Sequence, residues 1–335
     1  MINLHGLGES TVQITPELSV VLCTYNRAEL LKISLGSLVG QTVKRNQFEV
    51  IVIDDGSEDQ TKSVVDFFKD LLPVKYYFQK NAGLASARNH GIFAAQGRII
   101  FFFDDDDVAS PTLLEEHLKT HREFQDDCYA VLNYTDWHPS IKKSPLMNFV
   151  TEVGCFLFSY PLIKHGQILD YTYFWAGRSS CKRSYLVKHG VCNQIFRFSC
   201  EDIELGYRLS RQGFKIVYNS EAISYMIRPV TFDAFFQRLL KQGQSQYNFA
   251  KIYNNEEVNR YCEINNARER WEKISLVFEA RVNSASVLDK FITLKDKYSI
   301  IGNDELKLLY NAYWWVFKAC KLKGIIEEQQ RIQEC

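Results

Sequence analysis

The sequence lacks the short motifs that mark several large classes of enzyme and metal site. It contains no CxxC pair, no HExxH, no GxxxxGKS/T and no GxSxG. Zinc sites built on paired ligands, phosphate-binding P-loops and nucleophile elbows are therefore not indicated. The nine cysteines are scattered and odd in number, which favours reduced core thiols over a disulfide framework. Reduced thiols in turn predict a cytoplasmic protein.

Net charge and long hydrophobic runs are also missing. The 335 residues include 40 basic and 40 acidic side chains, so the formal net charge is zero. A generic nucleic-acid binder is expected to be basic, and the balance argues against a nucleic-acid partner. No apolar run approaches the roughly 20 residues of a membrane-spanning helix. Residues 1–19 lack a basic start followed by an apolar run, so no secretory signal is predicted.

What the first 135 residues do contain is an alternation of β-rich and helical segments. Strands are predicted over 18–23, 48–53, 74–78 and 98–103, and helices over 27–40, 58–71, 84–95 and 111–124. This order predicts an α/β fold with a mostly parallel sheet and helices on both faces. The pattern from 136 to 230 is irregular except for a helix at 201–212, and after 231 the chain reads as helical. The expected division is 1–230 and 231–335.

Polar clusters follow the predicted strands, and ligands of such sheets bind at the carboxyl ends of the strands. The most prominent cluster is Asp104–Asp107. Alternate residues of an extended segment face the same way, so Asp104 and Asp106 form one pair and Asp105 and Asp107 the other. Four adjacent carboxylates require compensation, which Mg²⁺ or Mn²⁺ would supply while also holding a diphosphate. The alternative is a solvated acidic turn that caps the next helix.

Further clusters each carry a functional and a purely structural interpretation. They are Thr24, Tyr25, Asn26 and Arg27 after the first strand, Asp54 and Asp55 after the second, Arg88 in a loop entering a helix, Glu201, Asp202 and Glu204 at a helix start, and Trp175 in an aromatic segment. A carboxylate after the second strand suits a nucleobase or ribose, and one at 201–204 suits a general base. Each acidic pair is also a normal helix start, and an aromatic side chain is usually buried for its area.

In this order the motifs resemble the inverting family 2 glycosyltransferases with the GT-A fold. The resemblance covers residues 19–124 and again 177–220. It rests on five segments, which are Ser19–Arg27, Val52–Ser57, Asn81–Asn89, Phe103–Asp107 and Glu201–Leu209. They are similar to the opening strand, the base-binding turn, the loop facing the nucleotide, the DxD metal site and the late Glu-Asp helix of that family. Residues 1–230 would then form the catalytic domain.

The resemblance implies a role for each candidate residue. Thr24 and Tyr25 would line the nucleobase pocket, Asp54 or Asp55 would bind the base, Arg88 would lie near the base or diphosphate, and Asp104 would lie near the ribose. Asn26, Arg27 and Asp105 would also bind the nucleotide. Asp106 would bind the Mn²⁺ or Mg²⁺, Asp202 would be the general base, and the donor or acceptor pocket would be lined by Asp107, Trp175, Glu201 and Glu204. The donor would be a nucleoside-diphosphate sugar, with UDP-sugar favoured. The acceptor would be a saccharide, a lipid-linked molecule or a protein.

This sequence lacks two motifs of the family, and their absence limits which activities are expected. Where the family usually has Gly-Gly-Phe-Asp-Glu, this chain has Gly190-Val-Cys-Asn-Gln194, which lacks two carboxylates. The Gln-x-x-Arg-Trp motif of processive synthases is absent, so transfer of one sugar per encounter is expected. A sugar-nucleotide pyrophosphorylase is a second hypothesis, although it should carry a glycine- and lysine/arginine-rich loop after the first strand. A catalytically inactive carbohydrate-binding or scaffold protein is a third.

Two further expectations concern charge and the helical region. The segments 54–59, 104–107 and 201–204 hold 11 acidic residues in 14 positions, which predicts a concentrated negative pocket. Arg238 and Gly243 are expected on a solvated helix face rather than near a diphosphate. The options for 231–335 are an acceptor platform, an interface of a homo-oligomer, or a peripheral contact with the inner face of a membrane. Packing of the aromatic residues at 313–317 is the favoured interpretation.

Overall fold

The structure, a computed structural model, describes residues 15–334, which form one nine-stranded sheet flanked by helices. The strands are β1 (Leu18–Thr24), β2 (Phe48–Asp54), β3 (Val74–Phe78), β4 (Ile99–Asp104), β5 (Asp107–Ala109), β6 (Tyr129–Trp137), β7 (Ile168–Leu169), β8 (Ser179–Lys182) and β9 (Lys215–Met226). Their order is β3-β2-β1-β4-β8-β6-β9-β5, with β7 added beside β9. Residues 1–14, for which no secretory signal is predicted, lie outside the described residues.

Twelve α-helices are present in the described residues. They are α1 (Ala28–Val39), α2 (Thr61–Phe68), α3 (Leu84–Ala94), α4 (Leu113–Glu123), α5 (Pro145–Asn148), α6 (Arg183–His189), α7 (Glu201–Ser210), α8 (Phe232–Tyr253), α9 (Glu256–Tyr261), α10 (Ala267–Glu272), α11 (Ser275–Lys297) and α12 (Asn303–Gln333). None of the helices in residues 15–334 is long and apolar enough to cross a membrane.

The predicted parallel half of the sheet is confirmed. β1 pairs in parallel with β2 and β4, and β2 pairs in parallel with β3. The three central strands are almost wholly buried, because helices cover both faces and the strands are runs of Val, Ile, Leu and Phe. The register sets Thr24 beside Asp54 and Cys23 beside Asp104. The carboxyl ends of all three strands therefore meet at one edge.

The sheet continues where the sequence pattern was irregular. β8 and β6 extend it antiparallel, and β9 pairs with β6 in parallel. The strand β8 was missed because its four residues, Ser-Ser-Cys-Lys, are polar although all are buried. Ser180 Oγ lies 2.8 Å from both His117 Nδ1 and His121 Nε2, and Lys182 Nζ donates to the carbonyls of Phe124 and Asp126. Partners of this kind make burial of a polar strand possible.

The helical region after 231 is confirmed, and it shares a core with the sheet. One buried cluster joins Val21 and Phe102 of the sheet to Phe235 of α8 and to Tyr313 and Phe317 of α12. The expectation that the aromatic side chains pack in the protein, rather than face a membrane, is therefore confirmed for Tyr313 and Phe317. The hydrophobic core thus runs without a break across the expected boundary at 230.

Two glycines allow α8 and α12 to cross closely. A Cβ atom on Gly243 would lie 2.1 Å from the Lys321 carbonyl oxygen, and one on Gly324 would lie 2.0 Å from that of Leu240. Real Cβ atoms do not approach backbone at such distances. Gly243 is therefore a packing residue, neither solvated nor near a ligand, and its helix could not lie this close to α12 with any other residue there.

We expect Gly243→Ala to lower the free energy of unfolding by about 1–3 kcal/mol, because overpacking a tight contact displaces backbone. Urea denaturation followed by circular dichroism measures this. Gly36→Ala is the matched control: it is also a helical glycine, but its added Cβ would meet only Phe68 Cζ at 3.9 Å. That variant should be neutral or more stable by up to about 1 kcal/mol. Equal midpoints for the two variants would contradict the assigned role of Gly243.

Candidate active site

A large cavity opens at the carboxyl ends of β1, β2 and β4. Its volume is about 970 Å³. The wall is formed by the ends of these strands, the loop before α3, the segment before β8, the start of α7 and one face of α8. This position matches the expectation for a parallel sheet, in which neighbouring strands end at one crevice. The cavity therefore collects side chains that are far apart in the sequence.

The tetrad at 104–107 forms the turn between β4 and β5. Asp104 ends β4, Asp107 begins β5, and the two middle residues connect them. Ser34 Oγ donates to the carbonyl oxygens of Asp105 and Asp107 and so holds the turn against α1. Asp104, Asp105 and Asp106 line the cavity, whereas Asp107 does not.

The expectation that Asp107 lines the donor or acceptor pocket is wrong, because Asp107 does not reach the cavity. Its side chain is fully buried behind the cavity wall, where Arg178 Nη2 lies 3.0 Å from Oδ1 and Ser224 Oγ lies 3.4 Å from Oδ2. Burial raises the pKa of Asp107 well above its usual range, although the charge of Arg178 acts in the opposite direction. Asp107 therefore anchors Arg178 instead of meeting a ligand.

Arg178 connects this buried carboxylate to the cavity. Its Nη1 lies 2.6 Å from Asp104 Oδ2, so one guanidinium binds the first and last members of the tetrad. The close approach depends on Gly177, because a Cβ there would lie 2.2 Å from the same Asp104 oxygen. Burial acts to raise the pKa of Asp104, but Arg178 and Arg88 outweigh it and the pKa is lowered. Asp104 is thus held as a carboxylate.

The two middle carboxylates differ in accessibility. Asp105 is buried and accepts hydrogen bonds from Thr24 Oγ1 and Arg27 Nη1, both at 2.8 Å. Burial raises the pKa of Asp105 to about 6 although Arg27 lowers it. Asp106 is more open, with its Oδ2 at 2.9 Å from Arg228 Nε and 3.6 Å from Arg27 Nη1. Of these two middle carboxylates, Asp106 is therefore the better placed to meet a ligand.

The turn after β2 distinguishes its two carboxylates. Asp54 does not line the cavity, because it accepts hydrogen bonds from the Ser57 amide and the Tyr76 hydroxyl, each at 2.7 Å. Asp55 does line the cavity and accepts from the amides of Ala82 and Gly83 at 2.9 Å. Of the two alternatives, only Asp55 reaches the cavity wall, and it also fixes the loop that leads into α3.

The residues that follow β1 also differ in whether they line the cavity. Thr24, Tyr25 and Arg27 line the cavity, and Tyr25 is 48% exposed. Asn26 corrects the expectation of a nucleotide contact. It has a positive φ of 52°, and its backbone amide and side-chain oxygen bind Ser57 Oγ and the Glu58 amide at 2.8 Å. Asn26 therefore ties the end of β1 to the turn after β2.

The start of α7 places two acidic side chains in the cavity wall. Glu201 and Asp202 line it, and two consecutive residues with positive φ, Ser199 at 61° and Cys200 at 65°, set the entry to the helix. Backbone strain of this kind is concentrated at functional sites. Asp202 Oδ2 accepts from the Ala176 amide at 3.2 Å, which fixes the carboxylate against the segment before β8.

Glu201 forms a buried ion pair inside the wall. Arg88 Nη1 lies 2.6 Å from its Oε1, and the same arginine reaches Asp104 at 3.7 Å. Burial and the neighbouring charge of Asp202 raise the pKa of Glu201 to about 7, whereas Arg88 lowers it. Its Oε2 is buried with no hydrogen-bond partner among residues 15–334. Arg88 therefore links the tetrad to α7.

Glu204 corrects another expectation, because it does not line the cavity. It is fully buried on the far side of α7, where Arg208 Nε lies 2.7 Å from its Oε1 and the Tyr253 hydroxyl donates to the same oxygen.

Trp175 does line the cavity, as expected. Its indole N–H donates to the Thr172 carbonyl at 3.0 Å, and its ring centroid lies 5.1 Å from that of Phe158.

The charge of the cavity differs from the concentrated negative pocket that the sequence predicted. Its lining carries six acidic residues, which are Asp55, Asp104, Asp105, Asp106, Glu201 and Asp202, and seven basic ones, which are Arg27, Arg88, Arg178, Arg197, Arg228, Arg238 and Lys241. Most of the carboxylates are paired with these arginines. The formal charges of the lining are therefore nearly balanced.

Several of these basic residues were missed from the sequence. Arg178, Arg197 and Arg228 lie in irregular segments with no motif around them. Arg238 is exposed, as expected for a solvated face of α8, but that face lines the cavity, and the charge of Arg238 helps to lower the pKa of Asp104. The helical spacing of Ala234, Arg238 and Lys241 was the available signal, because residues three and four apart share one face of a helix.

The potential metal ligands in the wall are few. No cluster of three or more His, Cys, Asp or Glu side chains suited to a metal ion occurs within residues 15–334. Mg²⁺ and Mn²⁺ do not require one, because such ions are bound through one or two carboxylates together with substrate phosphates and water. Asp106, accessible at the turn, fits that mode of binding.

The chain is similar in sequence to a known protein family and to several curated proteins. The family described as glycosyl transferase family 2 matches residues 19–181. Validoxylamine A glucosyltransferase of Streptomyces hygroscopicus subsp. jinggangensis is 32% identical over 233 residues, which are 62% of this chain and 54% of the relative. Chondroitin synthase of Escherichia coli is 27% identical over 63% of this chain and 35% of its own length. The chain thus spans about half or less of these two relatives.

Solved structures share the fold. TarS of S. aureus, residues 1–349 in complex with UDP, has a TM-score of 0.56 at 16% identity, covering 94% of this chain and 92% of that one. The mannosyltransferase PcManGT of Pyrobaculum calidifontis, in complex with GDP-Man and Mn²⁺, has a TM-score of 0.60 at 16% identity, covering 94% and 87%. These likenesses extend over the sheet and the helical region together.

Proposed function

We propose, on the premise that residues 19–181 match glycosyl transferase family 2, that the chain is an inverting, non-processive glycosyltransferase. It would move a sugar from a nucleoside-diphosphate sugar to a hydroxyl group of a glycan, glycolipid or protein acceptor. The observation that carries the proposal is the cavity at the strand ends, where Asp55, Asp106 and Asp202 line a single space. A pyrophosphorylase or an inactive scaffold has no comparable support.

The donor is proposed to lie along the strand ends. Its base would occupy the side of the cavity formed by Thr24, Tyr25 and Asp55, where Asp55 offers a carboxylate acceptor beside an exposed aromatic ring. The diphosphate would lie among the cavity arginines, since a guanidinium binds phosphate oxygens in pairs. UDP is the favoured nucleotide, and UDP-bound TarS, which shares the fold, is in keeping with it.

A divalent ion is proposed to be held by Asp106 with the diphosphate completing its coordination. When bound, Mn²⁺ or Mg²⁺ would stabilise the negative charge that develops on the leaving nucleoside diphosphate. The Mn²⁺ in PcManGT, another protein of this fold, supports a divalent ion. Arg228 and Arg27 already lie beside Asp106 and would flank the same phosphates.

The proposed mechanism is a single displacement with inversion. Asp202 takes the proton of the acceptor hydroxyl, whose oxygen forms a bond to the anomeric carbon. The bond from that carbon to the diphosphate oxygen breaks, and its electron pair leaves with the nucleoside diphosphate. The Ala176 amide holds the Asp202 carboxylate in place. Trp175 would offer its ring face to a sugar on the same side of the cavity.

Calorimetric titration of UDP with and without Mn²⁺ tests the proposal. We expect wild-type affinity to rise when Mn²⁺ is present. In Asp106→Ala this gain should fall by at least about tenfold, since even indirect changes around a metal ligand cost 10–100-fold in metal affinity. Affinity measured without metal should not fall, because the arginines beside Asp106 are then released toward the phosphates.

Asp136→Ala is the matched control, since this carboxylate is bound at the surface by Lys143 at 2.6 Å and does not line the cavity. It should behave as wild type. A full Mn²⁺ effect in Asp106→Ala would refute the ligand assignment, and a wild type that binds no UDP would refute a UDP-sugar donor.

A further inference from the structure

Helix α11 has apolar side chains on two opposite faces. One face packs on the body of the protein through Phe278, Ala285 and Ile292, which are all buried. The other face points away from the body and is exposed. A surface helix normally has one apolar stripe and a polar opposite face. A second stripe therefore indicates a second packing partner.

The exposed stripe follows a strict repeat. Its seven positions are Val277, Ala280, Ser284, Val287, Phe291 and Leu294 within the helix and Tyr298 directly after it, separated by alternating steps of three and four residues. All seven are exposed, and Val287, Phe291, Leu294 and Tyr298 are 68%, 53%, 53% and 70% exposed. This spacing is the a/d pattern of a helix that packs against another helix, because it keeps one narrow seam facing the partner.

We infer that the exposed stripe of α11 pairs with the same stripe of a second copy of this chain, in antiparallel orientation. Such a pair of helices has a twofold axis between Ser284 and Val287. The stripe is then complementary to itself in size: Ala280 lies opposite Phe291 of the second copy, and Val277 lies opposite its Leu294. Small and large residues alternate across the seam, as close packing requires.

The sizes of the side chains select the antiparallel orientation. In a parallel pair each position would meet its own copy, so Phe291 would face Phe291 and Ala280 would face Ala280, and large residues would no longer lie opposite small ones. In the antiparallel pair, Lys290 lies beside Asn283, and Arg281 beside Leu288. The acidic residues of α11 are already bound within their own chain: Glu279 by Lys323 at 3.3 Å, Asp296 by Lys142 at 2.9 Å and Asp289 by the Tyr313 hydroxyl.

The first test measures the oligomeric state of the whole 335-residue chain by analytical ultracentrifugation between 1 and 100 µM. We expect a dimer in wild type and at least about a 100-fold weaker association in Val287→Lys, since a charge at the centre of the seam cannot be desolvated without a partner. Val187→Lys is the matched control, because Val187 on α6 is 49% exposed but lies outside the stripe. Its dimer should remain. Circular dichroism verifies that both variants are folded.

The second test reads the register by cross-linking. The double variant Val277→Cys with Leu294→Cys should form a disulfide-linked dimer under mild oxidation, whereas each single variant should not. Cross-linking of Val277→Cys alone would indicate a parallel pair and overturn the proposal. A wild type that is monomeric up to 100 µM, or a dimer unaffected by Val287→Lys, would overturn it as well. So would a monomer that binds anionic vesicles through Val287, since the stripe would then face lipid.

Discussion

Asp202→Asn is expected to lower the rate of sugar transfer by about 100-fold or more while leaving nucleotide binding unchanged. The amide has nearly the shape of the carboxylate and can still accept from the Ala176 amide, but it cannot take a proton from the acceptor hydroxyl. Binding should persist because Asp202 stands at the start of α7, on a different element from Asp55 and Tyr25, which are proposed to hold the base. Initial rates of UDP release with a UDP-sugar and an acceptor, and calorimetry with UDP, measure the two quantities.

Asp304→Asn serves as the control for this variant, since Asp304 lies on the surface in the first turn of α12. It should have wild-type rates. If Asp202→Asn transferred sugar at the wild-type rate, Asp202 would not be the base. If the variant lost UDP binding in parallel with activity, its carboxylate would instead belong to the donor site.

Arg178→Met is expected to lower the free energy of unfolding by about 3–5 kcal/mol, because it removes the buried guanidinium that binds both Asp104 and Asp107. Arg178 is itself buried and binds Asp107 at 3.0 Å and Asp104 at 2.6 Å. Methionine retains the length of the side chain and removes the charge, so loss of packing contributes little. Urea denaturation and the yield of folded protein report the change.

A surface pair gives the matched comparison. Arg122 lies 2.8 Å from Glu17, with about half of its side chain exposed. Arg122→Met should cost about 0–1 kcal/mol, because solvent already screens that pair. If Arg178→Met were no more destabilising than Arg122→Met, the tetrad would be stable without its guanidinium, and the anchoring role of Asp107 would be wrong.

Much of the fold follows from local patterns along the chain. Runs such as Val20–Leu22 and Ile99–Phe103 are buried on both faces of a parallel sheet, and their composition alone predicts them. The strand β8 could not be predicted in this way. Its serines and Lys182 are stabilised by His117, His121 and carbonyl groups of distant segments, and no window of sequence contains those partners.

The candidate site likewise has features that the sequence predicts and features that only the folded structure determines. Because parallel strands end at a common edge, the sequence already places Thr24, Asp55 and the tetrad near one another. The sequence could not distinguish Asp55 from Asp54, or Asp106 from Asp107, since each pair consists of two adjacent aspartates. Accessibility separates them, and it is set by Tyr76, Ser224 and Arg178, whose positions depend on the packed sheet.

The balance of charge shows most clearly which properties the sequence determines and which the fold determines. Composition establishes that the whole chain is neutral, and motifs locate its acidic segments, because both are properties of the chain as written. Electrostatic potential depends on distance in space, so the sign of the cavity is a property of the folded protein. Folding brings Arg178, Arg228 and Arg238 from separate regions to the acidic strand ends and makes a balanced cavity out of a predicted negative one.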